Sequence, residues 1–244
     1  MLAEKDKIIS PAYGAADPRE DGVRTCRSMG GLAAIGAPST ELVIWKRALP
    51  HQLRDWLDQI PVRALPDLRL LIKLDELRPA LEPLLNQCGI RAGDMRDLLI
   101  ADIAKLVQAF SRITASAHVD VRLERVDDDA CWKFHRDSVD ARLLTTYRGP
   151  TTEWVQPAHG ERAILEQEGF TGPLEHLGIH DVALFKGDPG RTGTGRGIVH
   201  RSPPIVGTGC TRLLLCLNEP TAASPDPWVT GSGHYSHLDV QRGW

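Results

Sequence analysis

Hydrophobic and polar positions change their period near residue 118 of the 244-residue chain. Ahead of that point apolar residues recur every three or four positions, the spacing of a helix with one buried face. HQLRDWLDQI places Leu53, Trp56, Leu57 and Ile60 in this way. LPDLRLLIKLDELRPALEPLLNQCGI continues the pattern, with Pro79 and Pro83 expected to break or start separate helical pieces. GDMRDLLIADIAKLVQAFSRITAS is the most regular stretch, with Leu98, Ile103, Leu106, Val107, Phe110 and Ile113 on one stripe. A short apolar run, ELVIWKRALP, ends at Pro50 and predicts one strand before these helices.

Beyond residue 118 the period falls to two. HVDVRLERV alternates Val119, Val121 and Leu123 with polar residues, as a half-buried strand does. CWKFHRD, RLLTTY, DVALFK, GIVH and RLLLCLN are further strand candidates, separated by turns rich in Gly, Pro and Asp. RLLLCLN is apolar at nearly every position, which predicts a strand covered on both faces. Residues 1–40 carry Gly, Ala, Pro and charge without a sustained period and read as an irregular arm. The rest reads as a single domain over 41–244. Residues 41–116 give helical support, 117–220 a β core and 221–244 a C-terminal tail.

Composition narrows the function classes. A formal net charge of −3 gives no electrostatic footprint for nucleic acid. No segment reaches the ~20 apolar residues of a membrane span, and MLAEKDKIIS lacks a signal-peptide core, so a cytoplasmic location is expected. Five cysteines without a C-x-x-C pair read as reduced thiols, with Cys210 and Cys216 as small buried hydrophobes.

The chemistry concentrates in CWKFHRDSVDARLLTTYRGPTTEW. On a strand His135 and Asp137 share a face, while Phe134 and Arg136 share the other. GIVHRSPP offers His200 as a third ligand from a neighbouring strand. Two histidines and one carboxylate leave three positions of an octahedral ion open, the arrangement of non-haem Fe(II) oxygenases. On the last apolar strand Arg212 shares a face with Leu214 and Cys216, opposite Leu213, Leu215 and Leu217, so it needs a buried anion.

Several weaker readings accompany this one. His176 with His180, or His234 and His237 with Asp239, form rival metal clusters. GDPGRTGTGRG fits neither nucleotide-loop pattern and reads as a flexible connection, with a lid that brings Arg191 or Arg196 over an anionic substrate as the alternative. Glu153 and Trp154 are candidate pocket walls. An arginine rim (Arg136, Arg142, Arg148, Arg191, Arg196, Arg201) suggests an anionic substrate.

H-x-D, a distal His and an Arg at the start of the last strand resemble the Fe(II)/2-oxoglutarate oxygenases. HRSPPIVGTGCTRLLLCL is similar to the prolyl-hydroxylase pattern, at His200, Pro204 with Ile205, Gly209 and Arg212. The chain as a whole, through FHRD, RLLTTYRGPTTEW, DVALFKGD, GRGIVHRSPP and RLLL, resembles an uncharacterised bacterial family, domain of unknown function 1826. The oxygenase resemblance implies an α+β fold, a cupin-like double-stranded β-helix with N-terminal helices packed on it. It implies Fe(II) held by His135, Asp137 and His200, and 2-oxoglutarate paired with Arg212 and receiving a hydroxyl hydrogen bond from Tyr147. The implied activity is hydroxylation of a small molecule or side chain. The rival reading is a non-oxidative metal-binding cupin that handles or senses metal.

Overall fold

A computed structural model describes residues 17–18, 22–188 and 197–229. Along the chain come β1 (Asp17–Pro18), β2 (Val23–Cys26), β3 (Leu42–Trp45), α1 (His51–Gln59), β4 (Leu68–Ile72), α2 (Leu77–Gln87) and α3 (Asp94–Thr114). They are followed by β5 (Val119–Val126), β6 (Ala141–Arg148), β7 (Glu153–Trp154), α4 (Gly160–Glu166), β8 (Glu175–His176), β9 (Val182–Lys186), β10 (His200–Arg201) and β11 (Arg212–Asn218). Eight strands form one sheet in the order β1-β2-β3-β9-β6-β11-β5-β4, and three form a second, β10-β7-β8. All pairings are antiparallel except β2 with β3. The fold is therefore mixed α and β, with helices on one face of the large sheet.

The central strand β11 explains the layering. All seven of its residues are buried. Leu213, Leu215 and Leu217 join a core with Leu53 and Leu57 of α1, Leu81 and Leu85 of α2, and Ile103, Leu106, Val107 and Phe110 of α3. Leu214 and Cys216 point the other way, into a second core with Leu144, Trp154, Phe185 and Ile198. Each fully buried leucine contributes about 1.5–3 kcal/mol of apolar transfer, so a strand covered on both faces holds the two layers together.

Five sequence expectations change here. Residues 22–40 are not an irregular arm: Val23–Cys26 is a sheet strand, and a 3-10 helix over Met29–Gly36 buries Leu32 and Ile35 in the main core. Residues 1–16 and 19–21 lie outside the described residues. Leu68–Ile72, read as helical, is the edge strand β4 paired with β5. Its apolar run is too short to display either period by itself, and the helical spacing that follows it obscured the boundary. Pro79 and Pro83 both lie within the single helix α2. Pro79 is third in that helix, where an N–H has no intrahelical acceptor anyway, and Pro83 removes one interior hydrogen bond. On α3 the buried stripe runs through Leu99 and Ile100, leaving Leu98 40% exposed. Cys216 is buried as expected, whereas Cys210 is exposed, because it follows the turn at 206–209 and precedes β11.

Candidate metal centre

The residues CWKFHRD do not form a strand. Only His135 enters a ladder, as an isolated bridge with His200: its N–H donates to the His200 carbonyl at 3.0 Å, and His200 N–H returns a bond of 3.0 Å. His200 pairs in turn with Trp154 across β10 and β7. The two histidines are thus fixed to each other through the backbone. The alternation expected of a strand survives locally, since Phe134 packs with Val155, Ala163 and Val199 while Arg136 reaches Glu161 of α4 at 2.8 Å.

Asp137 follows on the same side. Its peptide carbonyl accepts from Asp188 N–H at 2.9 Å, and Gly187 N–H donates to the Asp140 carbonyl at 3.0 Å. This contact requires glycine: a Cβ on residue 187 would stand 1.9 Å from the Val139 carbonyl oxygen and 2.8 Å from that of Asp137. Gly187→Ala is expected to push the Asp137 loop away and weaken metal binding about 10–100-fold without touching a ligand. Isothermal titration with a divalent metal checks this, and unchanged affinity would show that the loop position does not set the site.

The side chains converge. One ligand atom each from His135, Asp137 and His200 lie within 4.8 Å of one another. His135 Nδ1 is 2.8 Å from the Lys133 carbonyl and His200 Nδ1 is 3.0 Å from that of Ile198. A carbonyl only accepts, so both Nδ1 atoms carry the proton and both Nε2 lone pairs are left free. His200 Nε2 stands 3.6 Å from Asp137 Oδ2, too far for a hydrogen bond. Burial pushes the His200 imidazole down to about 4, with Asp137 opposing, which keeps the ring neutral. The ring also lies against Phe185, with centroids 4.5 Å apart.

Asp137 is held as an anion from the opposite side. Its Oδ1 accepts a short hydrogen bond from Arg142 Nη1, and Arg142 Nε donates to Asn218 Oδ1 at 2.8 Å. Burial alone would raise the carboxyl's pKa, but His200, Arg142 and His135 outweigh it and hold it below the usual value. The Arg142 guanidinium is raised in return, because the Asp137 charge overcomes its own desolvation. Asp137 Oδ2, however, is buried without any hydrogen-bond partner. A buried carboxylate oxygen facing two imidazole lone pairs is costly unless a cation lies among them. The residues therefore fit a divalent ion.

Arg212 is fully buried. Its Nη1 donates to Ser202 Oγ, its Nη2 to Thr152 Oγ1 at 3.2 Å, and its Nε has no partner. No acid among the described residues lies within ion-pair distance of it. Burial lowers its pKa to about 10, although Cys131, Glu124 and Glu153 oppose that. Because Ser202 follows β10 and Thr152 precedes β7, the guanidinium sits at the ends of the strands that carry His200 and Trp154.

Other expected residues fall elsewhere. Tyr147 is on the helical face of the large sheet, in the main core, and its hydroxyl donates to Asp102 of α3 at 2.7 Å. It does not share the face of Arg212, because alternation along β6 places it with Leu143 on the side of Leu213, Leu215 and Leu217. Trp154 is buried in the second core as a wall, whereas Glu153 is occupied by Arg201 at 2.7 Å. The described members of the arginine rim are also occupied. Arg136 bonds Gly197 and Glu161, Arg142 bonds Asp137, Arg148 bonds the Ile60 carbonyl, and Arg201 bonds Glu153 and covers Phe134. They do not form a free anion-binding rim.

His176 is exposed, while His180 is buried at φ 67° with Nε2 near the Tyr147 carbonyl, so this pair makes no cluster. His234, His237, Asp239, Arg191 and Arg196 lie outside the described residues, as does most of GDPGRTGTGRG. Arg142, Asn218, Ser202, Thr152 and Gly187 were not singled out as parts of this site by sequence. The one available signal was an arginine at an inward position of β6, five residues after a buried acid.

A sequence profile described as protein of unknown function (DUF1826) matches residues 27–218. The chain belongs to this family. No curated protein sequence matches significantly. Structural comparison aligns this family member with the dioxygenase for auxin oxidation from rice, at 12% identity, TM-score 0.44 and 83% coverage of each chain. It also aligns with dioxygenase for auxin oxidation 1 from Arabidopsis thaliana in a binary complex with 2-oxoglutarate. That match has 11% identity and a TM-score of 0.47 over 82% of this chain and 90% of that one. A Pseudomonas putida prolyl-4-hydroxylase aligns at 13% identity and TM-score 0.38, over 79% of this chain and 94% of that one. No helix among the described residues is long and apolar enough to cross a membrane.

Proposed function

We propose that this DUF1826 member is an Fe(II)-dependent oxygenase using 2-oxoglutarate to hydroxylate a small molecule or a side chain, and that its two sheets constitute a double-stranded β-helix. The partnerless Oδ2 of Asp137, facing the free Nε2 atoms of His135 and His200, is the observation that carries this reading. Two imidazoles and one carboxylate suit ferrous iron and leave positions for a cosubstrate. Bound there, the ion would supply the redox chemistry that couples keto-acid oxidation to hydroxylation.

The chain's own contribution is to position and protect. Backbone carbonyls orient both imidazoles and fix their tautomers. Arg142 takes one oxygen of Asp137, keeping the carboxylate charged and aiming the other oxygen at the site. Phe185 and Trp154 keep water from the buried side. Arg212, with only hydroxyls as partners, suits the distal carboxylate of a five-carbon keto-diacid through a charge-assisted pair.

Anaerobic titration with Fe(II) and then 2-oxoglutarate tests the reading. A visible charge-transfer band supports it. Stoichiometric metal binding without the band supports a metal-handling cupin instead, and no metal binding removes both readings. Arg212→Met is expected to lower 2-oxoglutarate affinity about 10–100-fold while Fe(II) affinity stays unchanged. Replacing a buried cation that lacks an acid partner with an apolar side chain is often neutral or stabilising, so the apo melting temperature should hold or rise. A loss of stability with unaltered keto-acid binding would make Arg212 a structural residue only.

A further inference from the structure

The helical side of the molecule has a cleft of about 650 Å³, within the usual range for small-molecule sites. It lies between the C-terminal end of α1 and the N-terminal end of α3, where Trp56, Ile60, Pro61, Ile90 and Met95 form apolar walls. The metal ligands are not among its lining residues.

Its polar groups favour an anion. Arg96 lines the cleft and is only 7% exposed, yet among the described residues its sole hydrogen-bond partner is the neutral amide oxygen of Asn86 at 2.7 Å, and its Nε has none. No acid among the described residues forms an ion pair with it. A buried guanidinium in this state is costly, and an incoming carboxylate would relieve that cost. The first turn of α3 adds to the effect. Asp94, Met95 and Arg96 line the cleft, their N–H groups precede the intrahelical hydrogen-bond ladder, and the N-cap Gly93 supplies no capping side chain. The remaining charged lining residues are Arg91 and Asp94, both exposed, which leaves two cations against one acid.

We propose that this cleft binds a small monocarboxylate with an apolar body, its carboxylate on Arg96 and the start of α3 and its body against Trp56 and Ile60. The ligand class follows from one buried cation among mainly apolar lining residues. This site is separate from the metal centre and does not depend on the reading proposed for it.

Calorimetric titration of the full chain with phenylacetate and with neutral phenylacetamide, each with and without EDTA, tests the proposal. Phenylacetate is expected to bind at least ~10-fold tighter than the amide, the ~1.4 kcal/mol of one charge-assisted contact, and equally well with EDTA. Arg96→Met should reduce phenylacetate affinity by the same factor. Because Arg96→Met touches a buried position, Ala92→Trp supplies an independent check: it fills the cleft from the exposed rim and should also abolish binding. Equal affinity for acid and amide, no binding of either, or binding untouched by Ala92→Trp would overturn the site. Loss of phenylacetate binding in EDTA would assign the acid to the metal centre and overturn it equally.

Discussion

Asp137→Ala is expected to abolish stoichiometric Fe(II) binding, lowering affinity well beyond the ~10–100-fold typical of losing a hydrogen-bond partner of a ligand. The substitution removes the one anionic donor and leaves two neutral imidazoles. It also strips Arg142 of its acid, leaving that largely buried guanidinium with Asn218 alone. The apo protein should lose about 1–3 kcal/mol, which for a domain of this size is roughly 2–12 °C in melting temperature. Asp137→Asn separates the two effects. Its amide oxygen can still accept from Arg142, and its amide N–H can donate toward the His200 Nε2 that Asp137 Oδ2 faces at 3.6 Å. That variant should melt at or above the unmodified protein while still failing to bind metal. Metal content and thermal unfolding measured on both variants decide the matter: full Fe(II) occupancy in either would sink the metal-centre assignment.

The same residues show why part of the site was legible in sequence. Val119, Val121 and Leu123 alternate because β5 has one buried face, and the unbroken apolar run of β11 reflects cover on both. Face assignments therefore followed directly: Arg212 does lie with Leu214 and Cys216 on the side away from the helices. His135, Asp137 and His200 meet because residues two apart share a side even where the chain is irregular and only one bridge forms. The rest depended on contacts between distant segments. β4 needed β5 beside it to become a strand, and the glycine-rich stretch before residue 41 needed the core to receive Leu32 and Ile35. Tyr147 was misplaced by the family resemblance, since alternation along β6 puts it with Leu143 on the helical side, away from Arg212.

That displaced tyrosine belongs to a network whose removal should cost the fold most. Arg47, just after β3, places Nη1 and Nη2 at 2.5 and 3.0 Å from the two oxygens of Asp102 on α3, while its Nε donates to the His180 carbonyl at 2.8 Å. Tyr147 completes the arrangement from β6, and its phenol is raised well above its ordinary pKa, by burial first and then by the Asp102 charge. Asp102 thus ties α3 to β6 and to the segment that follows β3. The side chains of Arg47 and Asp102 are only 8% and 14% exposed, so the screening that weakens surface pairs is largely absent. Asp102→Ala leaves a buried guanidinium without its acid and a buried hydroxyl without its acceptor, and the expected cost is about 3–5 kcal/mol. For a domain of this length that lowers the melting temperature by roughly 6–20 °C. Tyr147→Phe removes only one hydrogen bond from the same network and should cost about 1 kcal/mol. It should leave 2-oxoglutarate affinity unchanged, because the ring lies across the sheet from Arg212. Thermal unfolding together with keto-acid titration checks both variants. Equal destabilisation by the two would show that Arg47 finds another acceptor. A selective loss of keto-acid binding in Tyr147→Phe would instead return the phenol to the cosubstrate site.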